Sequence, residues 1–106
     1  MNVRFVDVEI ERLYRSGKSK KYRQIERDEK LRGKLATVIG ILYDVPDCES
    51  LKYISKLHYE KLKHEYSGKS SVRLSNSYIG RLIFTEEDGG ISINLLEIDD
   101  THYGNK

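Results

Sequence analysis

The stretch SSVRLSNSYIGRLIF, residues 70–84, reads as two strands joined by a turn. Val72 and Leu74 alternate with polar neighbours before a Ser-Asn-Ser turn, and a second apolar run follows that turn. Successive side chains of a strand point to opposite faces of the sheet. Arg73 and Arg81 are therefore predicted to point away from the apolar face and to contribute little to the core.

Apolar alternation continues on both sides of this hairpin. The pattern predicts a strand within residues 57–66 and another within 91–98, with the Asp-Gly-Gly sequence at 88–90 as a tight turn. Gly80 interrupts a strand pattern, which indicates a bulge beside Arg81. The second half of the chain is therefore a run of antiparallel strands.

The first half of the chain is predicted to hold one strand and two helices. A short strand at residues 3–6 precedes Asp7, which is a suitable N-cap for a helix that ends at Gly17. A long helix is predicted from about residue 22 to residue 43, and Asp47 can cap a short helical turn after it.

The resulting order, β-α-α-β-β-β, predicts an α+β fold. We expect a small twisted antiparallel sheet with both helices packed on one face and the first strand at an edge. At 106 residues, the whole chain 1–106 is expected to form a single domain.

Composition excludes several classes of protein. The one cysteine, Cys48, cannot form an internal disulfide, and the sequence has no zinc-binding signature. No segment has the roughly 20 apolar residues that a membrane span needs, and the N-terminal residues do not resemble a signal peptide. We therefore expect a cytoplasmic protein with no metal, no cofactor and no membrane partner.

Charge is unevenly distributed along the chain. Residues 1–34 contain 11 Lys/Arg and 6 Asp/Glu, and residues 52–84 contain 7 and 2, whereas residues 85–106 contain 1 and 6. Two basic blocks can attract a polyanion, or they can form a solvated surface with scattered ion pairs. For a small domain with no other information, the solvated surface is the more common case.

The segments LKHEYSGKSSVRLSNSYIGRLIF, residues 62–84, and EIDDTH, residues 97–102, resemble the RelE/HigB toxins of type II toxin-antitoxin systems. The shared features are a Leu-Lys pair, a Ser-hydrophobic-Arg-hydrophobic strand, a turn that contains Asn, a second arginine before an aliphatic-Phe strand, and a histidine near the C-terminus. This chain has Thr101 where many nuclease members have a tyrosine, although Tyr103 follows the histidine.

The resemblance implies the RelE-like fold and a toxin that cuts messenger RNA on the ribosome. It places Lys63, Arg73, Arg81 and His102 at the family's catalytic positions. A related branch, the ParE-like toxins, poisons DNA gyrase instead, and a catalytically inactive binding protein of the same fold is a further alternative. The implied partners are the ribosome, messenger RNA and an antitoxin, expected to be a helix-turn-helix protein through which the toxin reaches DNA indirectly.

RNA cleavage without a metal needs a base for the 2′-OH, cations for the phosphate and an acid for the leaving oxygen. Arginine suits the phosphate because its planar fork donates two hydrogen bonds, and histidine titrates near neutrality. Glu60, Lys61 and Tyr103 are accessory candidates, and Lys61 is predicted to share a strand face with Lys63. The basic linker between the helices can bind RNA backbone through Lys18, Lys20, Lys21 and Arg23.

Each assignment has a structural alternative. Arg73 and Arg81 can be solvated strand residues that pair with acids such as Glu97. His102 lies in a polar terminal segment that can fray.

Overall fold

A computed structural model describes residues 1–74 and 80–99. Within these residues, five strands and three α-helices follow one another in the order β-α-α-α-β-β-β-β. The elements are β1 Asn2–Phe5, α1 Val8–Ser16, α2 Arg23–Glu26, α3 Glu29–Asp44, β2 Glu60–Lys61, β3 Ser70–Arg73, β4 Arg81–Glu87 and β5 Ser92–Asp99. Short 3₁₀ helices fill several connections. The α+β class is therefore confirmed.

The five strands form one sheet in the order β1-β5-β4-β3-β2. The β2–β3, β3–β4 and β4–β5 pairs are antiparallel, as predicted, but β1 lies parallel to β5 at the edge of the sheet. The sheet is therefore mixed, which corrects the expectation of a purely antiparallel sheet. Alternation predicts a strand but not its direction, because direction depends on how the helices return the chain to the sheet.

The long helix predicted from residue 22 is divided in two. Asp28 interrupts it, because its carboxylate accepts hydrogen bonds from the backbone amides of Lys30 at 3.0 Å and Leu31 at 3.1 Å. This N-cap begins α3 and leaves α2 as a single turn. The predicted caps of α1 are confirmed: Asp7 accepts from the Glu9 amide, and Gly17 adopts the left-handed conformation after the last turn.

The strand predicted within residues 57–66 is wrong for most of its length. Only Glu60 and Lys61 pair with β3. His58 and His64 have left-handed backbones, with φ of 48° and 61°, so the chain turns sharply on either side of β2. Alternation in a mostly polar segment is weak evidence for a strand, because a short 3₁₀ helix can expose the same polar side chains to water.

The helices pack on one face of the sheet and form the core with it. Leu82 and Phe84 of β4 are fully buried there, together with Val72 of β3. The described register irregularity falls between Ile83 and Phe84, where Leu96 is the extra residue on β5, rather than at Gly80. Gly80 instead has a φ of 78°, a conformation that favours glycine.

No helix in the described part of the chain combines the length and apolar character needed to cross a membrane.

Candidate functional site on the sheet face opposite the helices

The sheet brings three charged residues into one row across three strands. Arg73 of β3 lies directly opposite Arg81 of β4, and Arg81 lies directly opposite Asp99 of β5. Directly opposed residues of antiparallel strands point to the same face, and these three alternate with the core residues Val72 and Leu82. The prediction that both arginines point away from the apolar face is consistent with this register. We call Arg73, Arg81 and Asp99 the arginine row.

Arg81 and Asp99 form a buried ion pair in this row. The Arg81 Nη2 and Nε atoms lie 3.1 Å and 3.2 Å from Asp99 Oδ2. The two side chains are only 13% and 6% exposed, so little water screens the pair. The expected acid was Glu97, but Glu97 lies opposite Ile83 instead. Arg81 is therefore part of the folded framework, which corrects the expectation that it contributes little to it.

Tyr66 lies over the guanidinium of Arg81. The Arg81 Cζ atom is 5.4 Å from the centroid of the Tyr66 ring, which is cation–π geometry. Lys69 approaches the same ring, with its Nζ 5.5 Å from the centroid. Burial raises the pKa of Tyr66, and the nearby carboxylates of Asp99 and Glu97 raise it further, so the phenol stays protonated at neutral pH.

Arg73 differs from Arg81 in its partners. Within residues 1–74 and 80–99 its guanidinium forms no ion pair, and its side chain is partly exposed. It lines a cavity of about 640 Å³ together with three lysines of the helical side, Lys30, Lys34 and Lys56. Among the described residues, Arg73 is thus the cation of the row that a bound anion can reach without displacing a carboxylate.

Lys61 and Lys63 do not share a strand face, although the sequence predicted that they would. Lys61 lies opposite Ser70, on the helix side of the sheet, and its Nζ is 3.9 Å from Glu86. Lys63 lies beyond the end of β2 and is exposed. Lys61 is therefore on the opposite face from Arg73, which corrects its predicted place beside Lys63.

Glu60 takes the position on the arginine face that Lys61 was expected to hold. It pairs with Ser71, whose side chain has the same parity as Arg73. Glu60 is exposed. A carboxylate is thus available on the face that carries the arginine row.

Glu86 forms a separate polar cluster on the helix side of the sheet. It accepts hydrogen bonds from the hydroxyl of Tyr59 and from Ser70 at 2.7 Å. Burial raises the pKa of the Cys48 thiol to about 12, and the charge of Glu86 adds to this effect. Cys48 therefore stays protonated and is not an activated nucleophile.

The basic linker between α1 and α2 lies outside this face. Lys18, Lys20 and Arg23 are exposed, whereas the Nζ of Lys21 is 2.8 Å from Asp7 Oδ2. The linker is also anchored to the sheet, because the Tyr22 hydroxyl accepts a hydrogen bond from the Ile98 amide at 3.1 Å. Lys21 is thus engaged in holding the fold, and its three neighbours remain available to solvent.

His102 and Tyr103 lie outside the described residues, so their predicted roles remain predictions. Asp99 is the residue of the row that sequence reasoning missed. The sequence did contain a signal for it, because alternation along a strand places Asp99 on the same face of the sheet as Glu97. The residue opposite Arg81 becomes evident only once the β4–β5 register is known.

The backbone is similar to that of the YoeB/ParE toxin from Agrobacterium tumefaciens, with a TM-score of 0.57. The alignment covers 94% of this chain and 98% of the toxin, at 14% sequence identity. The chain has a YoeB/ParE-type fold. This confirms the resemblance to the RelE-like toxins at the level of the fold.

Two further structures align with the YoeB/ParE-type fold of this chain over more than nine tenths of its length. Both are YoeB-YefM complexes from Staphylococcus aureus, with TM-scores of 0.49 and 0.48 and sequence identities of 19% and 20%. The alignments cover 93% and 92% of this chain and 94% and 92% of the matched chains. No protein-family model and no curated protein sequence matches the chain.

Proposed function

We propose that this protein is the toxin of a type II toxin-antitoxin pair and that it cuts messenger RNA on the ribosome. The observation that carries the proposal is the arginine row on the sheet face opposite the helices: Arg73, which forms no ion pair among the described residues, lies beside Arg81, which Asp99 holds in place. The reaction class is attack of the RNA 2′-OH on the adjacent phosphorus, which leaves a cyclic phosphate and a free 5′-OH.

The two arginines have different roles in this proposal. Arg73 binds the phosphate directly, because its guanidinium has no carboxylate partner within the described residues and can donate two hydrogen bonds to phosphate oxygens. Arg81 is held by Asp99 and Tyr66, so its charge is fixed in place before the RNA arrives. A fixed charge costs little reorganisation when negative charge develops on the phosphate.

Proton transfer is assigned to His102, Tyr103 and Glu60. His102 is proposed as the main acid or base because an imidazole side chain ordinarily titrates near neutrality, with Tyr103 as an accessory group. Glu60 is a second candidate base, and its register position on the arginine face supports that role. Lys63 adds a compact positive charge near the phosphate. Lys61 is left out of the site because it faces Glu86.

The proposed partners follow from the same charges. Lys18, Lys20 and Arg23 are exposed cations that can contact ribosomal RNA backbone, while Lys21 is committed to Asp7. The antitoxin is proposed to be a DNA-binding protein, so that contact with DNA is indirect. Two of the similar structures are complexes of YoeB with YefM, which accords with an antitoxin partner.

The test is primer extension on a message translated by purified ribosomes, with and without the protein. We expect cuts within the reading frame, a 5′-OH at each new end and little cleavage of free RNA, because the ribosome orients the strand in line. Arg73→Ala should slow cutting about 10²-fold or more, and His102→Ala should do so while ribosome binding is retained.

Arg12→Ala is the matched control, since Arg12 is an exposed arginine on α1 that pairs only with Glu9 of the same helix among the described residues. It should cut like the parent. Absence of cleavage by the wild type, together with inhibition of gyrase in a supercoiling assay, would overturn the nuclease and favour a gyrase poison. Absence of both activities would leave a binding protein of the same fold.

A further inference from the structure

Asp99, the carboxylate of the arginine row, lies on a segment of β5 that β1 does not reach. The last paired residue of β1, Phe5, lies opposite Leu95. The Val6 amide donates to the Leu95 carbonyl at 3.0 Å, and the chain then leaves the edge of the sheet to begin α1. In the described part of the chain, no strand therefore pairs with the outer edge of β5 at residues 96–99.

The register irregularity between β4 and β5 falls at the start of the same segment. Leu96 is the extra residue on β5, so residues 97–99 pair with β4 in a register displaced by one residue from that of residues 92–95. An extra residue interrupts the ladder and lets the strand bend. The pairing of residues 92–95 therefore does not by itself fix the end of β5, and the outer edge of that end needs a separate partner.

The hydroxyl of Tyr22 is that partner. It accepts a hydrogen bond from the buried Ile98 amide at 3.1 Å and donates one to Asp7 Oδ2 at 2.6 Å. Burial and, after it, the hydrogen bond to Asp7 raise the pKa of Tyr22 to about 12, so the phenol stays protonated at neutral pH. The hydroxyl therefore keeps its proton for Asp7 and a lone pair for Ile98.

Both ends of this hydrogen bond chain are held in place. Asp7 Oδ1 accepts from the Glu9 amide at 2.9 Å as the N-cap of α1, and Asp7 Oδ2 lies 2.8 Å from the Nζ of Lys21. The ring of Tyr22 is buried in the core, with only 5% of the residue exposed. A hydroxyl held in this way has little freedom to move, so it can fix the position of the amide that it binds.

Ile98 connects this anchor to the arginine row. Its side chain is buried, and the next residue is Asp99, whose carboxylate pairs with Arg81. Ile98 also lies close to Gly80, the residue before Arg81, because a Cβ built on Gly80 would be 3.6 Å from Ile98 Cγ2. Ile98 thus packs beside the backbone of both members of the ion pair. A displacement of the Ile98 amide would therefore move the carboxylate that holds Arg81.

We propose that Tyr22 is a positioning residue of the arginine row. Its hydroxyl fixes the end of β5, so that Asp99 keeps the Arg81 guanidinium in place. Tyr22 is buried in the core, so it acts through Asp99 and not by contact with RNA. In making the ion pair part of an RNA-cutting site, the inference rests on the proposed function, whereas the link between Tyr22 and Arg81 does not.

The first test measures hydrogen exchange by NMR in the isotope-labelled full chain. Tyr22→Phe removes the hydroxyl and keeps the ring. Exchange of the Arg81 Nε–H and the Ile98 amide should become at least about tenfold faster relative to the Phe84 amide, because a lost buried hydrogen bond loosens the end of β5 locally. Phe84 is fully buried at the centre of β4, so its amide reports global unfolding.

Tyr59→Phe is the matched control for this measurement. The Tyr59 hydroxyl also donates to a carboxylate, that of Glu86. Glu86 lies opposite Ile93, on the other side of the register irregularity from Asp99. Tyr59→Phe therefore removes the same atom from the same kind of hydrogen bond without freeing the end of β5. It should leave both exchange ratios within about twofold of those of the wild type.

Asp7→Asn is a second variant that approaches the same hydroxyl from its other side. Asparagine is also a good N-cap, so α1 should still begin at this position. Its side-chain oxygen is needed by the Glu9 amide, which leaves an amide donor where Tyr22 had a carboxylate acceptor. Asp7→Asn should therefore speed exchange of the Arg81 Nε–H relative to the Phe84 amide as well.

The second test measures message cutting on translating ribosomes. Tyr22→Phe should lower kcat about tenfold with little change in KM, because Arg81 stabilises charge that develops in the transition state whereas Arg73 binds the phosphate. In an Arg81→Lys background, Tyr22→Phe should cause less than about a twofold further loss. A residue that acted only through overall stability would lower cutting by the same factor in both backgrounds.

Unchanged exchange ratios in both Tyr22→Phe and Asp7→Asn would overturn the proposal. Equal losses of cutting in the wild-type and Arg81→Lys backgrounds would also overturn it, since Tyr22 would then act independently of Arg81. The proposed nuclease fails separately, through absence of cutting by the wild type. Faster exchange in that case would support the link between Tyr22 and Arg81 and remove only its role in RNA cleavage.

Discussion

Arg73 and Arg81 lie directly opposite each other on adjacent strands, yet their surroundings differ in almost every respect. Arg81 is nearly buried, paired with Asp99 and covered by Tyr66, whereas Arg73 is partly exposed and has no ion-pair partner among the described residues. The difference arises because β5 supplies a carboxylate beside β4, while β2 ends before it reaches Arg73. The same side chain is therefore a structural element in one place and an available ligand in the other.

Replacing Arg81 should have the largest effect on stability. Arg81→Ala leaves the carboxylate of Asp99 buried without its cation, and loss of one partner of a buried pair typically costs 3–5 kcal/mol. We expect about 3 kcal/mol, the lower end, because Asp99 has at least one further interaction. Circular dichroism should show a melting temperature lowered by more than about 10 °C. A shift of only a few degrees would show that the pair is not buried in solution.

Removing both charges should recover part of that loss. Arg81→Met combined with Asp99→Leu replaces the pair with apolar side chains of similar volume, which is often neutral or stabilising compared with a broken pair. We expect the free energy of unfolding of the double variant, measured by urea titration, to be at least about 1 kcal/mol higher than that of Arg81→Ala. Losses that simply add would instead indicate that the two residues act independently.

Tyr66 should contribute a smaller amount through its ring over Arg81. Tyr66→Leu keeps an apolar side chain but removes the cation–π contact, which is worth roughly 1 kcal/mol at a partly buried site. Tyr53→Leu is the matched control, because Tyr53 is 83% exposed. A melting temperature that falls only in the Tyr66 variant would confirm the contact. Equal shifts of the melting temperature in both variants would show that the contact between Tyr66 and Arg81 does not stabilise the fold.

Arg73 should have the smallest effect on stability and a large effect on activity. Arg73→Ala removes no ion pair among the described residues and relieves like-charge repulsion with Arg81, so the free energy of unfolding should change by less than about 0.5 kcal/mol. Message cutting should nevertheless fall. If Arg73→Ala unfolds as readily as Arg81→Ala, the contrast between the two arginines is wrong.

Local sequence patterns predict part of this fold correctly. Alternation around Val72 and Leu82 predicts the two strands and the outward direction of both arginines, and capping chemistry predicts the start of α1 at Asp7. Alternation also predicted a strand around His58 and His64, where left-handed backbones form turns instead. The cap at Asp28 was available in the sequence, but the apolar period continued through it.

Only part of the candidate site could be predicted from the sequence. Arg73, Arg81 and Lys63 were proposed through a family resemblance, and the structure brings the first two into register. Lys61 was placed on the wrong face, because a shift of one residue reverses every side chain of a short strand. Asp99 was missed in favour of Glu97, since both have the same parity and only the β4–β5 register distinguishes them.

The sequence by itself determined the local features of this protein: the α+β class, the hairpin strands and the outward direction of Arg73 and Arg81. These depend on side-chain alternation and backbone capping, whose energies act within a few residues. Only the tertiary structure decided that β1 runs parallel to β5, that Asp99 pairs with Arg81 and that Arg73 lines one cavity with three lysines. Those contacts join residues distant in the chain, so they depend on strand register and helix packing, which no local pattern encodes.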